Sequence, residues 1–345
     1  MAALNLTDKP HIEAIDPAWA LPGGEVRIVG RGLRPKELRQ PEVRFGDVDA
    51  SVVVSAEQFL VARVPEGASS GDVVVAINGH RSNSREVRVA VPIAENLHPV
   101  ANPAVDDEGN VYATFSGTRG QKSPVAIYCI DAASEVKPFV SDLMNPTGLA
   151  FGRDGNLYVS SRYDGTVYRV SKNGAMTSYA EGLGVATGIA FDREGSLYVG
   201  DRSGTIFKIG RDQQVFVFAT LEPSVSAYHL AFGPQGDLFV TGPTTSSYDC
   251  VNKIDPQGTV HKFFRGLGRP QGLAFDTTGN LYVAASLSGK RGIVKITPQG
   301  NASLEVAGHG LVGLAFAPGR SVILATTDAV HHLSWNIQGL SLLPE

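Results

Sequence analysis

The chain has 345 residues, and its 30 basic and 34 acidic side chains give a net charge of −4. Hydrophobic residues make up 43% of the sequence, which is typical of a folded globular protein with one or two domains. Without a basic excess, a nucleic-acid partner is not predicted. No apolar run approaches the ~20 residues that span a bilayer, so no membrane span is predicted either.

Residues 1–10 are predicted to form an N-terminal tail. They lack the basic start and the apolar core of a signal peptide, so the sequence as written indicates the cytoplasm. The start of the gene product is not readable from these residues, and the localisation therefore stays open at this point.

Residues 11–91 contain short β-branched runs, often alternating with polar residues and separated by Gly, Pro and Asn turns. Six or seven short strands in about 80 residues indicate an immunoglobulin-like sandwich. The predicted strands are residues 26–29, 42–45, 51–54, 59–64, 72–77 and 86–91.

The segments Ile12–Pro17, Leu21–Leu33 and Val43–Gly46, followed by Val64–Pro65, strongly resemble the IPT/TIG domain in motif and order. The resemblance covers essentially all of residues 11–91 and implies an immunoglobulin-like adhesive or spacer module. Because such domains are found in cell-surface proteins, it also implies a secreted or cell-surface location as the alternative to the cytoplasm.

Residues 92–98 are predicted as a short linker, and a repeated pattern begins at residue 99. An apolar strand, a polar turn with Gly and a second strand recur with a phenylalanine every 40–43 residues. Four short strands in roughly 40–45 residues form one blade of a β-propeller. Six copies over residues 99–345 predict a six-bladed β-propeller, and the fold class is therefore all-β. The aligned residues are Val105, Phe151, Phe191, Phe232, Phe275 and Phe316.

This repeat resembles two propeller groups, the NHL repeats and the gluconolactonases of the senescence-marker-protein family. The first resemblance implies a binding scaffold. The second implies a metal-dependent lactonase, with one divalent cation such as Ca²⁺ held in the channel by Glu, Asn and Asp residues from separate blades.

The starts of the innermost strands are predicted to surround the channel, and they offer no carboxylate for such a cation. No metal ligand is therefore carried over from the lactonases, and no cofactor is predicted, with the channel Ca²⁺ kept as the alternative. The residues predicted at these positions are Ala101, Thr147, Thr187, Tyr228, Gln271 and Val312.

Arg162 and Arg202 occupy equivalent places on adjacent blades, directly after the second strand. With Asp201 between them, two guanidinium groups on one rim could clamp a carboxylate or a phosphate. The alternative is that both are solvated loop arginines, paired locally with Asp164 or Asp201.

His229 stands in blade four where most copies have glycine, and departures from a repeat often carry function. It is the candidate catalytic residue, as a general base or metal ligand, against the alternative of a buried structural histidine. The leading hypothesis is a non-catalytic binding protein whose propeller face holds a protein, peptide or glycan, oriented by the sandwich. The alternative is a lactonase-like hydrolase with a divergent channel site.

Overall fold

A computed structural model describes residues 9–35, 40–115, 123–245 and 249–341, so most of the predicted tail lies outside the described part. The described residues form strands and turns without a helix, which confirms the all-β prediction. None of them forms a helix that could cross a membrane. The chain divides into two compact units, residues 1–91 with 290–293 and 304–309, and the remaining residues 92–289, 294–303 and 310–345.

The first unit contains short strands that alternate inward apolar and outward polar side chains, as the sequence predicted. Their bounds are β1 (His11–Asp16), β2 (Trp19–Ala20), β3 (Glu25–Arg31), β4 (Glu42–Phe45), β5 (Val48–Ser55), β6 (Phe59–Arg63), β7 (Gly71–Ile77), β8 (His80–Arg81) and β9 (Arg85–Val89).

These strands form two layers around one core. On one side β3 pairs with β1 and β6, and β6 pairs with β5. On the other side β4 pairs with β5 and β7, and β7 pairs with β9. Val26 and Ile28 of β3 and Val73 and Val75 of β7 are fully buried in the core. Alternate residues of facing sheets fill the interior of an immunoglobulin-like sandwich in this way.

The remaining strands follow the predicted repeat. Their bounds are β10 (Val91–Glu95), β11 (Ala104–Val105), β12 (Val111–Thr114), β13 (Ile127–Ile130), β14 (Val136–Val140), β15 (Pro146–Phe151), β16 (Leu157–Ser161), β17 (Thr166–Val170), β18 (Met176–Ala180), β19 (Ala186–Phe191), β20 (Leu197–Asp201), β21 (Thr205–Ile209), β22 (Val215–Thr220), β23 (His229–Phe232), β24 (Leu238–Thr241), β25 (Asp249–Ile254), β26 (Val260–Gly268), β27 (Leu273–Phe275), β28 (Leu281–Leu287), β29 (Lys290–Ile296), β30 (Ala302–Ala307), β31 (Leu311–Ala317), β32 (Ser321–Thr326) and β33 (Ala329–Ser334).

These strands form sets of four, which we call blades 1 to 6 in chain order. Blades 1 to 3 are the separate sheets β11–β14, β15–β18 and β19–β22. Blades 4 and 5 are β23–β26 and β27–β30, and β26 also pairs with β28. Blade 6 is β31–β33 with β10 on its outer edge. Residues 92–98, predicted as a linker, therefore include most of a strand that completes this last sheet.

Aromatic contacts between blades explain the repeated Phe and Tyr of the sequence pattern. Tyr158 of blade 2 meets Phe191 of blade 3 edge to face, with ring centroids 4.8 Å apart. Tyr198 and Phe232 repeat the contact between blades 3 and 4, at 4.9 Å. Edge-to-face pairs add stability beyond the burial of their apolar area. The repeated Phe and Tyr therefore stabilise the contact between neighbouring blades.

The turn between the first and second strands of a blade is here called the inner turn, and in blade 5 an aspartate and a glycine stabilise it. Asp276 Oδ1 accepts hydrogen bonds from Thr278 N at 2.9 Å and from Asn280 N at 2.8 Å. Gly279 has a φ of +85°, which glycine adopts without steric cost. The sequence predicted this tight hairpin.

Candidate functional site

The innermost strands of the six blades surround a channel cavity of about 650 Å³. Each strand contributes at least one alanine to the wall, and in most blades one is the middle residue of Leu-Ala-Phe. Since alanine is small, the strands leave open space between them. These alanines are Ala104, Ala150, Ala190, Ala231, Ala274 and Ala315.

At the start of most innermost strands, a glycine lets neighbouring blades approach closely. Gly188 N donates to Tyr228 O at 2.9 Å, and a Cβ on Gly188 would overlap that oxygen. A Cβ on Gly148 would likewise overlap the carbonyl oxygen of Thr187. Four blades have glycine at this position (Gly148, Gly188, Gly272 and Gly313), whereas blade 1 has Asn102 and blade 4 has His229.

The Asn102 side chain forms hydrogen bonds with two other blades. Its Nδ2 donates to Leu273 O at 2.9 Å, and its Oδ1 accepts from Leu314 N at 3.1 Å. The amide of blade 1 thus joins the innermost strands of blades 5 and 6. A Cβ on Gly272 would overlap the Asn102 oxygen, so the glycine makes room for this bridge.

The threonines predicted at the channel ring lie between blades instead. Thr187 is fully buried; its Oγ1 donates to Gly200 O at 2.7 Å and accepts from Tyr228 N at 3.1 Å. Thr147 is also fully buried, and its Oγ1 donates to Asn145 O at 3.3 Å. The channel wall therefore begins one residue later in these strands than the sequence predicted.

Tyr228 and Gln271 are likewise engaged within the protein. Tyr228 is buried, and its hydroxyl donates to Glu222 O. Gln271 accepts a hydrogen bond from Thr241 Oγ1 at its carbonyl, and its Nε2 lies 3.5 Å from Leu311 O. Of the predicted ring, Ala101 lines the cavity.

His229, the candidate catalytic residue, lines the channel cavity and is only 3% exposed. Burial lowers the pKa of its imidazole to about 4, since the charged form would lose its hydration. The ring is therefore neutral near pH 7. Among the described residues no hydrogen-bond partner of this ring is found, and His229 is one of the polar residues that line the cavity.

The channel residues do not fit the Ca²⁺ ion that the lactonase resemblance implies. Ca²⁺ prefers six to eight oxygen ligands, with several carboxylates. Where the innermost strands begin, the side chains that could offer a metal ligand are the His229 imidazole and the Asn102 amide. The amide is already hydrogen-bonded to two strands. Within the described ranges no group of three or more His, Cys, Asp and Glu side chains could hold a metal ion.

Arg162 and Arg202 follow strands β16 and β20 and lie near each other. Burial and the positive charge of Arg202 lower the pKa of the Arg162 guanidinium. Arg162 is half-buried and Arg202 is exposed, with its Nε donating to Ser224 O at 3.3 Å. The two positive charges are thus close enough to repel each other.

Asp201, predicted to lie between the two arginines, is buried and accepts hydrogen bonds from the backbone of two loops. Its Oδ1 accepts from Val185 N at 2.8 Å and from Ser203 N at 3.3 Å. Gly184 packs directly on this carboxylate, because a Cβ there would lie 2.7 Å from Asp201 Cγ. Asp201 therefore positions Val185 and the segment that carries Arg202.

Three exposed apolar side chains lie in the Arg162 loop and in the two loops that hydrogen bond to the backbone of Arg202. Tyr163, next to Arg162, is 65% exposed, and Val185 and Val225 are 38% and 48% exposed. We call these three residues with Arg162 and Arg202 the rim surface. The apolar members were not predicted from the sequence, because a tyrosine or valine within a loop gives no signal of exposure.

Comparison with known proteins identifies the first unit. The IPT/TIG domain model matches residues 10–90. This segment is an IPT/TIG domain, which confirms the resemblance inferred from Ile12–Pro17 and the motifs after it. No curated protein matches the chain in sequence.

Solved structures with similar folds are distant in sequence. A Bacteroides thetaiotaomicron protein of unknown function has a TM-score of 0.58 and 16% identity, covering 96% of this chain and 99% of that one. An auxiliary nutrient binding protein from the same species has a TM-score of 0.55 and 14% identity, covering 94% and 98%. A proposed gluconolactonase has a TM-score of 0.58 and 18% identity, covering 73% and 93%. These similarities support the propeller fold.

Proposed function

We propose that the chain is a non-catalytic binding protein whose rim surface holds an acidic glycan. The observation that carries the proposal is the pair of adjacent guanidinium groups, Arg162 and Arg202, whose charges interact unfavourably. A carboxylate between them would relieve this repulsion and accept charge-assisted hydrogen bonds from both arginines.

The apolar members of the rim surface suit a sugar more than a free inorganic anion. Tyr163 offers an exposed ring beside Arg162, and Val185 adds an apolar contact from the neighbouring loop. A sugar ring can cover such side chains while its carboxylate meets the guanidinium groups. The full-length likeness to an auxiliary nutrient binding protein adds support for a binding function. The IPT/TIG domain would then serve as the orienting or adhesive module.

A lactonase-like hydrolase is the second candidate, favoured by the likeness to a proposed gluconolactonase and by His229 in the channel. A general base works best when its pKa lies near the working pH. With a pKa of about 4, the His229 imidazole would be a weak base at neutral pH. The binding function is therefore the better supported of the two.

The double variant Arg162→Ala/Arg202→Ala is expected to weaken binding of trigalacturonate by about tenfold or more, because hydrogen bonds between charged groups contribute about 1.5–3 kcal/mol. Isothermal titration calorimetry of the full chain would measure the dissociation constants. Neutral cellotriose should bind weakly to both proteins, since it lacks a carboxylate.

A matched control removes two exposed arginines from inner turns, in the variant Arg153→Ala/Arg193→Ala. It changes the net charge by the same amount and should leave trigalacturonate binding unchanged. Equal losses in both double variants would mean that overall charge, and not the rim surface, causes the binding. No binding of trigalacturonate to the wild type would reject an acidic glycan as the ligand class.

A further inference from the structure

We propose that the channel cavity is a second binding site, for a small, uncharged and largely apolar molecule that hydrogen bonds to His229. This site is separate from the rim surface, and the proposal does not depend on the function proposed above. Three observations support it: the His229 imidazole has no hydrogen-bond partner among the described residues, the cavity wall is largely apolar, and the charged lining residues lie far along the strands from His229.

The imidazole of His229 is the polar group that a ligand would recognise. It is nine-tenths or more buried, lines the cavity, and has no hydrogen-bond partner among the described residues. Its counterpart at the same layer, the Asn102 amide, is bonded to Leu273 and Leu314. Buried polar groups are normally hydrogen-bonded, because an unsatisfied one costs the protein stability. A ligand hydroxyl facing the ring would satisfy it.

The wall around His229 selects against sugars and other strongly polar molecules. The lining includes six alanines from the innermost strands and apolar residues beside them, such as Leu230 and Phe232. A sugar placed there would leave most of its hydroxyls without partners, and each would cost free energy on transfer from water. A cavity of about 650 Å³ is within the range that binds small organic ligands.

A charged ligand is also disfavoured next to His229. His229 opens strand β23, whereas the charged residues that line the cavity belong to inner turns at the other ends of the innermost strands. These are Asp106, Asp107, Asp192 and Arg320. A charged ligand beside the neutral imidazole would be desolvated without a counter-charge at its own level. The fitting class is therefore a neutral aromatic or aliphatic body with one hydroxyl donor, as in a phenol.

The test compares para-cresol with toluene, which has the same body without the hydroxyl. Each is titrated into the full chain at neutral pH while the imidazole nitrogen resonances of His229 are followed by NMR. Para-cresol should bind saturably, shift the His229 resonances and bind about tenfold more tightly than toluene, since a net hydrogen bond contributes up to about 1.5 kcal/mol.

Two variants separate recognition by His229 from filling of the cavity. His229→Leu should bind para-cresol and toluene equally, because the acceptor is gone and the volume remains. Ala274→Leu should weaken both, because its longer side chain occupies cavity space. Thermal denaturation would confirm that each variant is folded. Absence of para-cresol binding to the wild type, a preference that survives in His229→Leu, or unchanged binding in Ala274→Leu would each overturn the proposal.

Discussion

Replacing Gly188 with alanine is expected to lower the free energy of unfolding of the propeller by about 3 kcal/mol. The added Cβ would overlap the carbonyl oxygen of Tyr228 and crowd the backbone at His229. Backbone atoms cannot move aside as a flexible side chain can, so blades 3 and 4 would have to separate. That separation would disturb the hydrogen bond from Gly188 N to Tyr228 O.

The measurement is urea denaturation followed by the fluorescence of Trp335, in a Trp19→Phe background. Trp335 is buried in the propeller and packs 5.1 Å from the Tyr282 ring, so its emission reports on this unit. The control is Gly71→Ala in the IPT/TIG domain, followed by the fluorescence of Trp19 in a Trp335→Phe background, because a Cβ at Gly71 meets no atom within 4 Å. We expect the control to change stability by less than about 1 kcal/mol. Equal effects of the two substitutions would contradict close contact between blades 3 and 4.

Acidification is expected to destabilise the propeller through His229 by about 3 kcal/mol between pH 6.5 and pH 4. Burial lowers the pKa of the folded-state imidazole to about 4, whereas the unfolded chain has the ordinary value of 6.5. Above pH 6.5 the ring is neutral in both states, and no stability is lost. As the pH falls from 6.5 to 4, the unfolded chain binds the proton that the folded protein excludes, so the equilibrium shifts towards unfolding.

His229→Gln isolates this effect, since glutamine is polar but does not titrate. The variant should lose less stability on acidification than the wild type, measured by urea denaturation at a series of pH values. It should not become independent of pH, because burial also lowers the pKa of His331 in blade 6. Parallel pH profiles for the two proteins would show that His229 is not buried as described.

The sequence predicted the fold in detail because the information lies in short, repeated segments. The phenylalanine spacing gave the blade length, and the glycine of each inner turn was placed by its need for a positive φ. The IPT/TIG motifs also lie close together in the sequence, within one continuous segment, so they could be recognised without knowing any long-range contact. The role of Val91–Glu95 was missed, because its pairing with β33 joins residues more than 200 positions apart. No local pattern records such a partner.

The residues that line the channel were harder to predict. They depend on which side chains at the start of each innermost strand face the channel and which face the neighbouring blade. The register shifts between Pro146 and Leu149 in β15, and between Ala186 and Ile189 in β19. Such an irregularity changes which side chains face the channel. Thr147 and Thr187 therefore turn between blades. His229 and the two arginines were found as departures or equivalences within the repeat, which sequence alignment of the copies can detect.

The central claim, binding without turnover at the rim surface, is tested most directly by NMR of trigalacturonate mixed with the full chain. Saturation transferred from the protein to the sugar reports binding, and new sugar signals report chemical conversion in the same sample. We predict saturation transfer that disappears in Arg162→Ala/Arg202→Ala, with an unchanged sugar spectrum over time. Product signals, or saturation transfer that persists in the double variant, would contradict the account.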